Sequence, residues 1–185
     1  MQQSALIIEV HEADPMIDRW RRDYDPIAAH GIPPHITVLY PFVAPSAITE
    51  ADAMRVREVV REVPPWKYEL TAVREFPDVV WLQPEPPDPF RSLTAQLWAA
   101  FPEHPPFGGA FDEVVPHLTV AHFPDGDRSS LIERIAESIE PSLPISCEAT
   151  ELALYVSNLE RKAWQCTHRF PFGTRGAFSA APDEP

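Results

Sequence analysis

The sequence predicts an α+β protein built from two similar halves, with antiparallel sheets facing a central cleft and helices outside. Three observations support this fold class. Helix and strand patterns alternate along the chain, the order of elements repeats after about half its length, and one short motif occurs in both halves, at residues 34–38 and 116–120. We therefore predict a single bilobal domain over residues 1–173, with lobes at roughly 1–86 and 87–173, and a disordered tail over 174–185.

The first half reads as a strand, a helix, a strand, a second helix and a strand pair. Asp14-Pro15 is a typical helix start, with proline at the first helical position. Thr49 and Asp52 resemble a capping box at the start of the second helix, and Pro64-Pro65 ends it. The predicted elements are a strand at 6–10, a helix from 14 to about 29, a strand at 35–42, a helix from 49 to 63, and strands at 68–76 and 79–83 that turn at 77–78.

The second half repeats this order after a proline-rich connection. Its predicted elements are a helix at 89–101, a loop rich in proline and glycine through 109, a strand at 117–123, a turn at 124–127, a helix at 129–139, and a terminal hairpin formed by residues 145–157 and 162–172.

Composition restricts the class of partner. The chain has 185 residues, a net charge of -13 and a sequence pI near 4.8. A protein that grips long nucleic acid usually carries a basic surface, so this balance favours a small nucleotide or at most an RNA end. Two cysteines indicate no disulfide framework, and no apolar run is long enough for a signal peptide or membrane span. We expect a soluble cytoplasmic protein; its oligomeric state stays open.

The repeated motif carries the functional prediction. Pro34-His35-Ile36-Thr37-Val38 matches Pro116-His117-Leu118-Thr119-Val120 at proline, histidine, threonine and valine. Successive side chains of a strand point to opposite faces, so each histidine shares a face with its threonine while the aliphatic residues face the core. The alternative, two ordinary strand entries with partly buried histidines, requires the same coincidence in both halves.

Two imidazoles and two hydroxyls in one cleft are suited to acid–base chemistry on a phosphate. Imidazole has an ordinary pKa near 6.5, so one copy can be neutral and another protonated near neutral pH. A neutral histidine accepts a proton from water or a ribose hydroxyl, and a protonated one donates to a departing oxygen. Threonine hydroxyls can donate to the non-bridging phosphate oxygens. No metal or other cofactor is required by this scheme.

On these two motifs the sequence resembles the 2H phosphoesterase superfamily, which includes the 2'-5' RNA ligase (LigT-like) proteins and cyclic nucleotide phosphodiesterases. The resemblance implies a bilobal α+β fold in which His35 is the general acid that protonates the leaving 2'-oxygen and His117 is the base that activates water. Thr37 and Thr119 would hold the phosphate. Members often carry an arginine five residues after the second histidine; here that position is His122, and its counterpart is Tyr40.

We therefore predict a metal-independent phosphoesterase that acts on a 2',3'-cyclic phosphate or a related cyclic phosphodiester, with His35 and His117 as catalytic residues. Thr37, Thr119, Tyr40 and His122 are the predicted substrate-binding residues. Two alternatives remain open, 2'-5' RNA ligation and a non-catalytic nucleotide-binding module. Strict alternation places His122 on the core face unless a bulge re-aims it. Several strand aromatics are candidates for stacking a base, although core positions are the commoner use of such residues: Tyr40, Phe42, Phe76, Trp81 and Phe123.

Overall fold

A computed structural model describes residues 2–123, 129–158 and 163–173 of the chain. Four helices and eight strands are present in this part. The helices are α1 (Asp14–Tyr24), α2 (Glu50–Arg61), α3 (Asp88–Ala100) and α4 (Ser129–Ile139). The strands are β1 (Ser4–Glu9), β2 (His35–Leu39), β3 (Trp66–Phe76), β4 (Val79–Glu85), β5 (Leu118–His122), β6 (Ile145–Ala149), β7 (Glu151–Asn158) and β8 (Ala163–Pro171).

All eight strands join one antiparallel sheet in the order β6-β3-β4-β5-β2-β1-β7-β8. The predicted α+β class with an approximate twofold repeat is confirmed, with β2 and β5 side by side at the centre. The antiparallel sheets expected to face each other are two halves of this single sheet. The turn predicted at 124–127 and the tail from 174 lie outside the described residues.

The two halves of the sheet do not follow the two halves of the sequence. β1 and β2 belong with β7 and β8 from the end of the chain, whereas β3 and β4 belong with β5 and β6. The predicted hairpin of residues 145–157 with 162–172 is wrong for its first strand. The predicted strand is interrupted at Thr150 and forms two strands, β6 and β7. β6 pairs with β3 at one edge of the sheet, and β7 pairs with β8 at the opposite end. Apolar patterning defines a strand's faces but not its partner, which is why this crossing escaped prediction.

One face of the sheet is covered by the helices. Every helix contributes buried side chains to the same large core, among them Ile17 of α1, Val56 of α2, Leu93 of α3 and Ile135 of α4. A smaller apolar cluster lies on the opposite face of β1 and β7, formed by Ala5, Ile7, Ile32, Ala153 and Tyr155. We call this second face, which also carries His35 and Thr37, the cleft face.

Helix α1 begins at Asp14 as predicted but ends at Tyr24 instead of near Ala29. Asp25 precedes a proline, which disfavours helical backbone, and it is extended at φ -113° and ψ 102°. Its carboxylate forms a buried ion pair with Arg21 at 3.0 Å. The chain then turns through Gly31, which has φ +85°. A left-handed backbone of this kind favours glycine and redirects the chain into β2.

The capping box predicted for α2 is confirmed. Thr49 Oγ1 accepts a hydrogen bond from the Asp52 amide at 3.2 Å, and the Asp52 carboxylate accepts from the Thr49 amide at 2.8 Å. Helix α3 is tied to the centre of the sheet by Thr94, whose hydroxyl donates to the Val38 carbonyl at 3.0 Å. Within the described ranges, no helix combines the length and apolar character needed to cross a membrane.

Candidate active site

The two motifs lie side by side on the central strands of the sheet. His35 is the first residue of β2, and His117 immediately precedes β5. Ile36 and Leu118 are direct partners in the antiparallel pair. The register through this pair places the histidine of each motif across from the threonine of the other. The sequence predicted motifs that meet across a cleft between lobes, and the structure joins them within one sheet.

Burial along the two strands follows the predicted alternation. The histidines and threonines are partly exposed on the cleft face. The aliphatic residues between and after them are at most 1% exposed and belong to the core beneath the helices: Ile36, Val38, Leu118 and Val120. Core packing on one face therefore fixes which side chains project from the other.

Each motif histidine is oriented by the same backbone contact. His35 Nδ1 donates to the carbonyl of Pro33 at 2.8 Å, and His117 Nδ1 donates to the carbonyl of Val115 at 2.7 Å. A carbonyl only accepts hydrogen bonds, so the proton of each neutral ring is assigned to Nδ1. Nε2 then carries the lone pair of each neutral ring and is the nitrogen available to a substrate.

Burial keeps both imidazoles neutral near pH 7. The pKa of His35 is lowered to about 4, mainly by burial and in smaller part by the nearby charge of Arg21, while the hydrogen bond to Pro33 and the charge of Glu9 act in the opposite direction. Burial also lowers the pKa of His117 below its ordinary value. Both rings can therefore accept a proton at neutral pH, and a negative charge placed between them would favour protonation of one.

Glu9 lies beside His35 as its partner on β1. Its carboxylate accepts hydrogen bonds from Tyr155 Oη at 2.8 Å, from Arg169 Nη2 at 2.8 Å and from His11 Nε2 at 2.7 Å. Burial alone would raise the pKa of Glu9, but these three donors together hold it below its ordinary value. His35 therefore has an ionised and fully engaged carboxylate at its side. Sequence reasoning missed this group, because its members lie far apart in the chain.

Aromatic rings lie beside His117. Phe76 stacks on Trp81 with ring centroids 4.8 Å apart, and both rings meet the His117 imidazole edge to face, at 5.2 Å and 5.9 Å. Of the strand aromatics considered for stacking a base, these two are next to a motif histidine. Phe42 and Phe123 lie in the core instead, as the commoner use of such residues predicts.

Two β-bulges re-aim Tyr40 and His122 onto the cleft face. Opposite Leu6 and Ile7 the register skips one residue of β2, and opposite Val80 and Trp81 it skips one residue of β5. Each bulge leaves two successive buried apolar residues, Val38-Leu39 and Val120-Ala121. Strict alternation, which placed His122 on the core face, is therefore wrong at this position. Two consecutive apolar residues after each threonine are the sequence signal for the bulge.

The two re-aimed side chains have different surroundings. Tyr40 packs against the small apolar cluster of the cleft face. His122 lies at the rim, where its Nε2 is 3.2 Å from the Asp78 carboxylate. The two predicted substrate-binding positions thus flank the central motifs on the same face, without an arginine at either.

The loop before β2 is held by the buried pair of Arg21 and Asp25. Arg21 Nη2 donates to the carbonyl of Ile32 at 3.2 Å, and the Asp25 carboxylate accepts from the Ile27 amide at 3.2 Å. Because Ile32 directly precedes the proline pair that leads into His35, these bonds fix the entry of the motif strand.

Three further histidines lie outside the paired motifs. His11 contacts Glu9, His104 packs against Phe42, and His168 stacks on Phe170. Over the parts of the chain that are described, no group of three His, Cys, Asp or Glu side chains is arranged to hold a metal ion.

Comparisons with known protein families and with individual proteins indicate the same family. A model of the 2'-5' RNA ligase superfamily matches residues 9–161. A Geobacillus kaustophilus (strain HTA426) protein named "Putative phosphoesterase GK0864" is 30% identical over 124 residues, covering 65% of this chain and 68% of that protein.

Solved structures share the fold at low sequence identity. A Thermus thermophilus protein superposes with a TM-score of 0.66 at 16% identity, covering 94% of this chain and 100% of the other. E. coli LigT complexed with NADP+ superposes with a TM-score of 0.59 at 18% identity, covering 94% and 98%. With its paired motifs on the central strands and a family match over most of its length, the chain belongs to the 2'-5' RNA ligase superfamily, the group of 2H phosphoesterases.

Proposed function

We propose that this protein is a phosphoesterase that opens a 2',3'-cyclic phosphate, or a related cyclic phosphodiester of a nucleotide or RNA end, without a metal ion. The observation that carries the proposal is the central pair of motifs. Two imidazoles with Nδ1 committed to backbone carbonyls present two Nε2 atoms to one face, each beside a threonine hydroxyl. A phosphate between them would meet a base, an acid and two donors.

The proposed reaction uses the two histidines in opposite protonation states. His117 removes a proton from water as the water oxygen bonds to phosphorus, and the bond from phosphorus to the ribose 2'-oxygen breaks. His35, protonated when the anionic substrate is bound, gives its proton to that oxygen and leaves a 3'-phosphate. Thr37 and Thr119 donate to the non-bridging oxygens as charge develops. The direction of this assignment follows the family resemblance.

The surroundings of the two histidines differ. Glu9, ionised beside His35, acts to raise the pKa of that imidazole against the larger lowering by burial, so protonation of His35 depends on the added negative charge of a bound phosphate. His117 faces uncharged aromatic rings, which favour a neutral base. Related crystal structures are consistent with a small ligand, since E. coli LigT has been solved in complex with 3'-AMP, ATP and phosphate.

The test is hydrolysis of 2',3'-cyclic AMP in the presence of a chelator by wild type, His35→Ala and His117→Ala. Removing a general acid or base typically costs between about 10²-fold and 10⁴-fold in rate, so we expect a loss in that range for each variant. His30→Ala, which changes a histidine outside the site, is the matched control and should retain full activity. Turnover that survives both motif substitutions would refute the mechanism.

Two further assays test the alternatives, RNA 2'-5' ligation and nucleotide binding without catalysis. RNA 2'-5' ligation uses the same kind of phosphoryl exchange and would appear as joining of RNA ends by the wild-type protein. A non-catalytic nucleotide-binding module would bind the cyclic nucleotides without converting them.

A further inference from the structure

Each motif histidine has a polar residue across from it on the next strand of the sheet, and the two polar residues differ in charge. On one side Glu9 of β1 is the direct partner of His35. On the other, Gln83 of β4 lies one position beyond the Leu82–Leu118 pair, which places it across from His117. The approximate twofold repeat therefore sets a carboxylate beside one histidine and a neutral amide beside the other.

Each of these polar residues is hydrogen-bonded to an arginine on the cleft face, with opposite electrostatic results. Arg169 donates to Glu9 and also pairs with Glu151, so two carboxylates compensate its charge. Arg74 donates through Nε to the side-chain oxygen of Gln83 at 2.9 Å. Gln83 in turn donates through Nε2 to the Glu85 carboxylate. Among the described residues no carboxylate forms an ion pair with Arg74, so Glu85 is connected to its charge only through the Gln83 amide.

Arg74 is aligned with the reacting centre. It is the partner of Trp81 on β4, and Trp81 is the partner of Thr119 on β5, so all three side chains share the cleft face. Two strand spacings, about 10 Å, separate the backbones of Arg74 and Thr119. The surface between them is formed by the Trp81 ring and the Phe76 ring stacked on it. An apolar aromatic surface of this kind is suited to pack against a nucleoside that carries one phosphate near Thr119 and a second near Arg74.

The bonding of Arg74 leaves the right donors for an anion. Its Nε is used by Gln83, and the two Nη groups remain as a fork, the arrangement that binds two oxygens of one phosphate. In a chain with net charge -13, an exposed arginine that forms no ion pair with the described residues and is in line with the active site is a specific feature rather than part of a general basic surface.

We propose that Arg74 is an anchor for a second phosphate, carried on the 5'-oxygen of the nucleotide whose 2',3'-phosphate reacts at the two histidines. The inference rests on the proposed function for the position of the reacting phosphate. It names the substrate class as a nucleotide phosphorylated at both ends of its ribose. The 5'-phosphate is either a terminal monoester or the diester that continues into an RNA chain.

The experiment compares the affinity of adenosine 3'-monophosphate with that of adenosine 3',5'-bisphosphate by titration calorimetry. Neither probe is consumed by the proposed reaction. In the wild type we expect the bisphosphate to bind at least roughly tenfold more tightly, the effect of one bidentate charged contact. Arg74→Gln should reduce this ratio to within about twofold. Arg134→Gln removes the same charge from an exposed position on α4 and should leave the ratio unchanged.

A dinucleotide that ends in a 3'-phosphate distinguishes the two sources of the 5'-phosphate. If the dinucleotide gains as much affinity as the bisphosphate, the anchor accepts an RNA end; a gain confined to the bisphosphate assigns it to mononucleotides. Equal affinities of the two adenosine probes in the wild type, or a preference that survives Arg74→Gln, would overturn the inference. Hydrolysis of 2',3'-cyclic AMP measured on the same samples keeps the two proposals apart. Hydrolysis without the preference removes only the anchor, and the preference without hydrolysis removes only the catalytic function.

Discussion

Replacing His35 with glutamine should make the protein resist mild acid better than the wild type does. The imidazole is neutral in the folded state because burial lowers its pKa to about 4, while in the unfolded chain it returns to about 6.5. Between these values the unfolded state binds more protons, so a falling pH favours unfolding. Glutamine has no proton to gain in this range, so the pH-dependent part of the difference between the two proteins reports the imidazole.

The size of the effect follows from the two pKa values. Below both of them the full linkage is about 3 kcal/mol, and by pH 5 about 2 kcal/mol of it is already expressed. We therefore expect the free energy of unfolding of the wild type to fall by about 2 kcal/mol more than that of His35→Gln between pH 7 and pH 5. Carboxylates and His117 titrate in both proteins, so their contributions cancel in the difference.

Urea denaturation followed by tryptophan fluorescence at pH 7, 6 and 5 measures this difference. His11→Gln is a control of opposite sign. Burial alone would lower the pKa of His11, but hydrogen bonds to Glu9 and Asp14 raise it above its ordinary value. Its contribution to stability is full below its unfolded pKa and disappears as the pH rises through its folded pKa. Wild type and His35→Gln losing stability in parallel between pH 7 and pH 5 would refute the account of a buried neutral His35.

Two further predictions concern the reaction and the support of the site. The kcat/KM for 2',3'-cyclic AMP should peak below pH 6.5. The proposed assignment requires a free protein with a protonated His35, whose pKa is about 4, and a neutral His117, whose pKa is also lowered. A pH–rate profile with its maximum above about 7 would contradict this assignment. Asp25→Asn should destabilise the fold by about 3 kcal/mol, because it leaves the Arg21 charge buried without its partner. Asp18→Asn breaks the exposed pair with Arg22 and should change stability by less than about 1 kcal/mol in the same urea titrations.

Local chemistry was readable from the sequence where it depends on neighbours in the chain. Alternation placed His35 and Thr37 on one face and Ile36 on the other, because that period is a property of any strand. The capping box at Thr49 was readable for the same reason, since its two partners are three residues apart. The predicted end of α1 near residue 29 is wrong, because Asp25 precedes a proline and takes up extended backbone directly after Tyr24.

Relations across the sheet could not be read in this way. The bulges that turn Tyr40 and His122 onto the cleft face depend on the register with β1 and β4, and only their doubled apolar residues leave a trace in the sequence. The pairing of β6 with β3, and of β7 with β1, joins segments whose own patterns fit many partners.

The spacing of each His-x-Thr motif is enough to predict that its imidazole and hydroxyl project from one face of a strand, because side chains alternate in every strand. Three placements follow only from the folded sheet: the two motif strands are neighbours, Glu9 lies beside His35, and Arg74 is aligned with Thr119 through Trp81. Those placements depend on which distant segments pair, and pairing is set by the packing of the whole sheet against its helices.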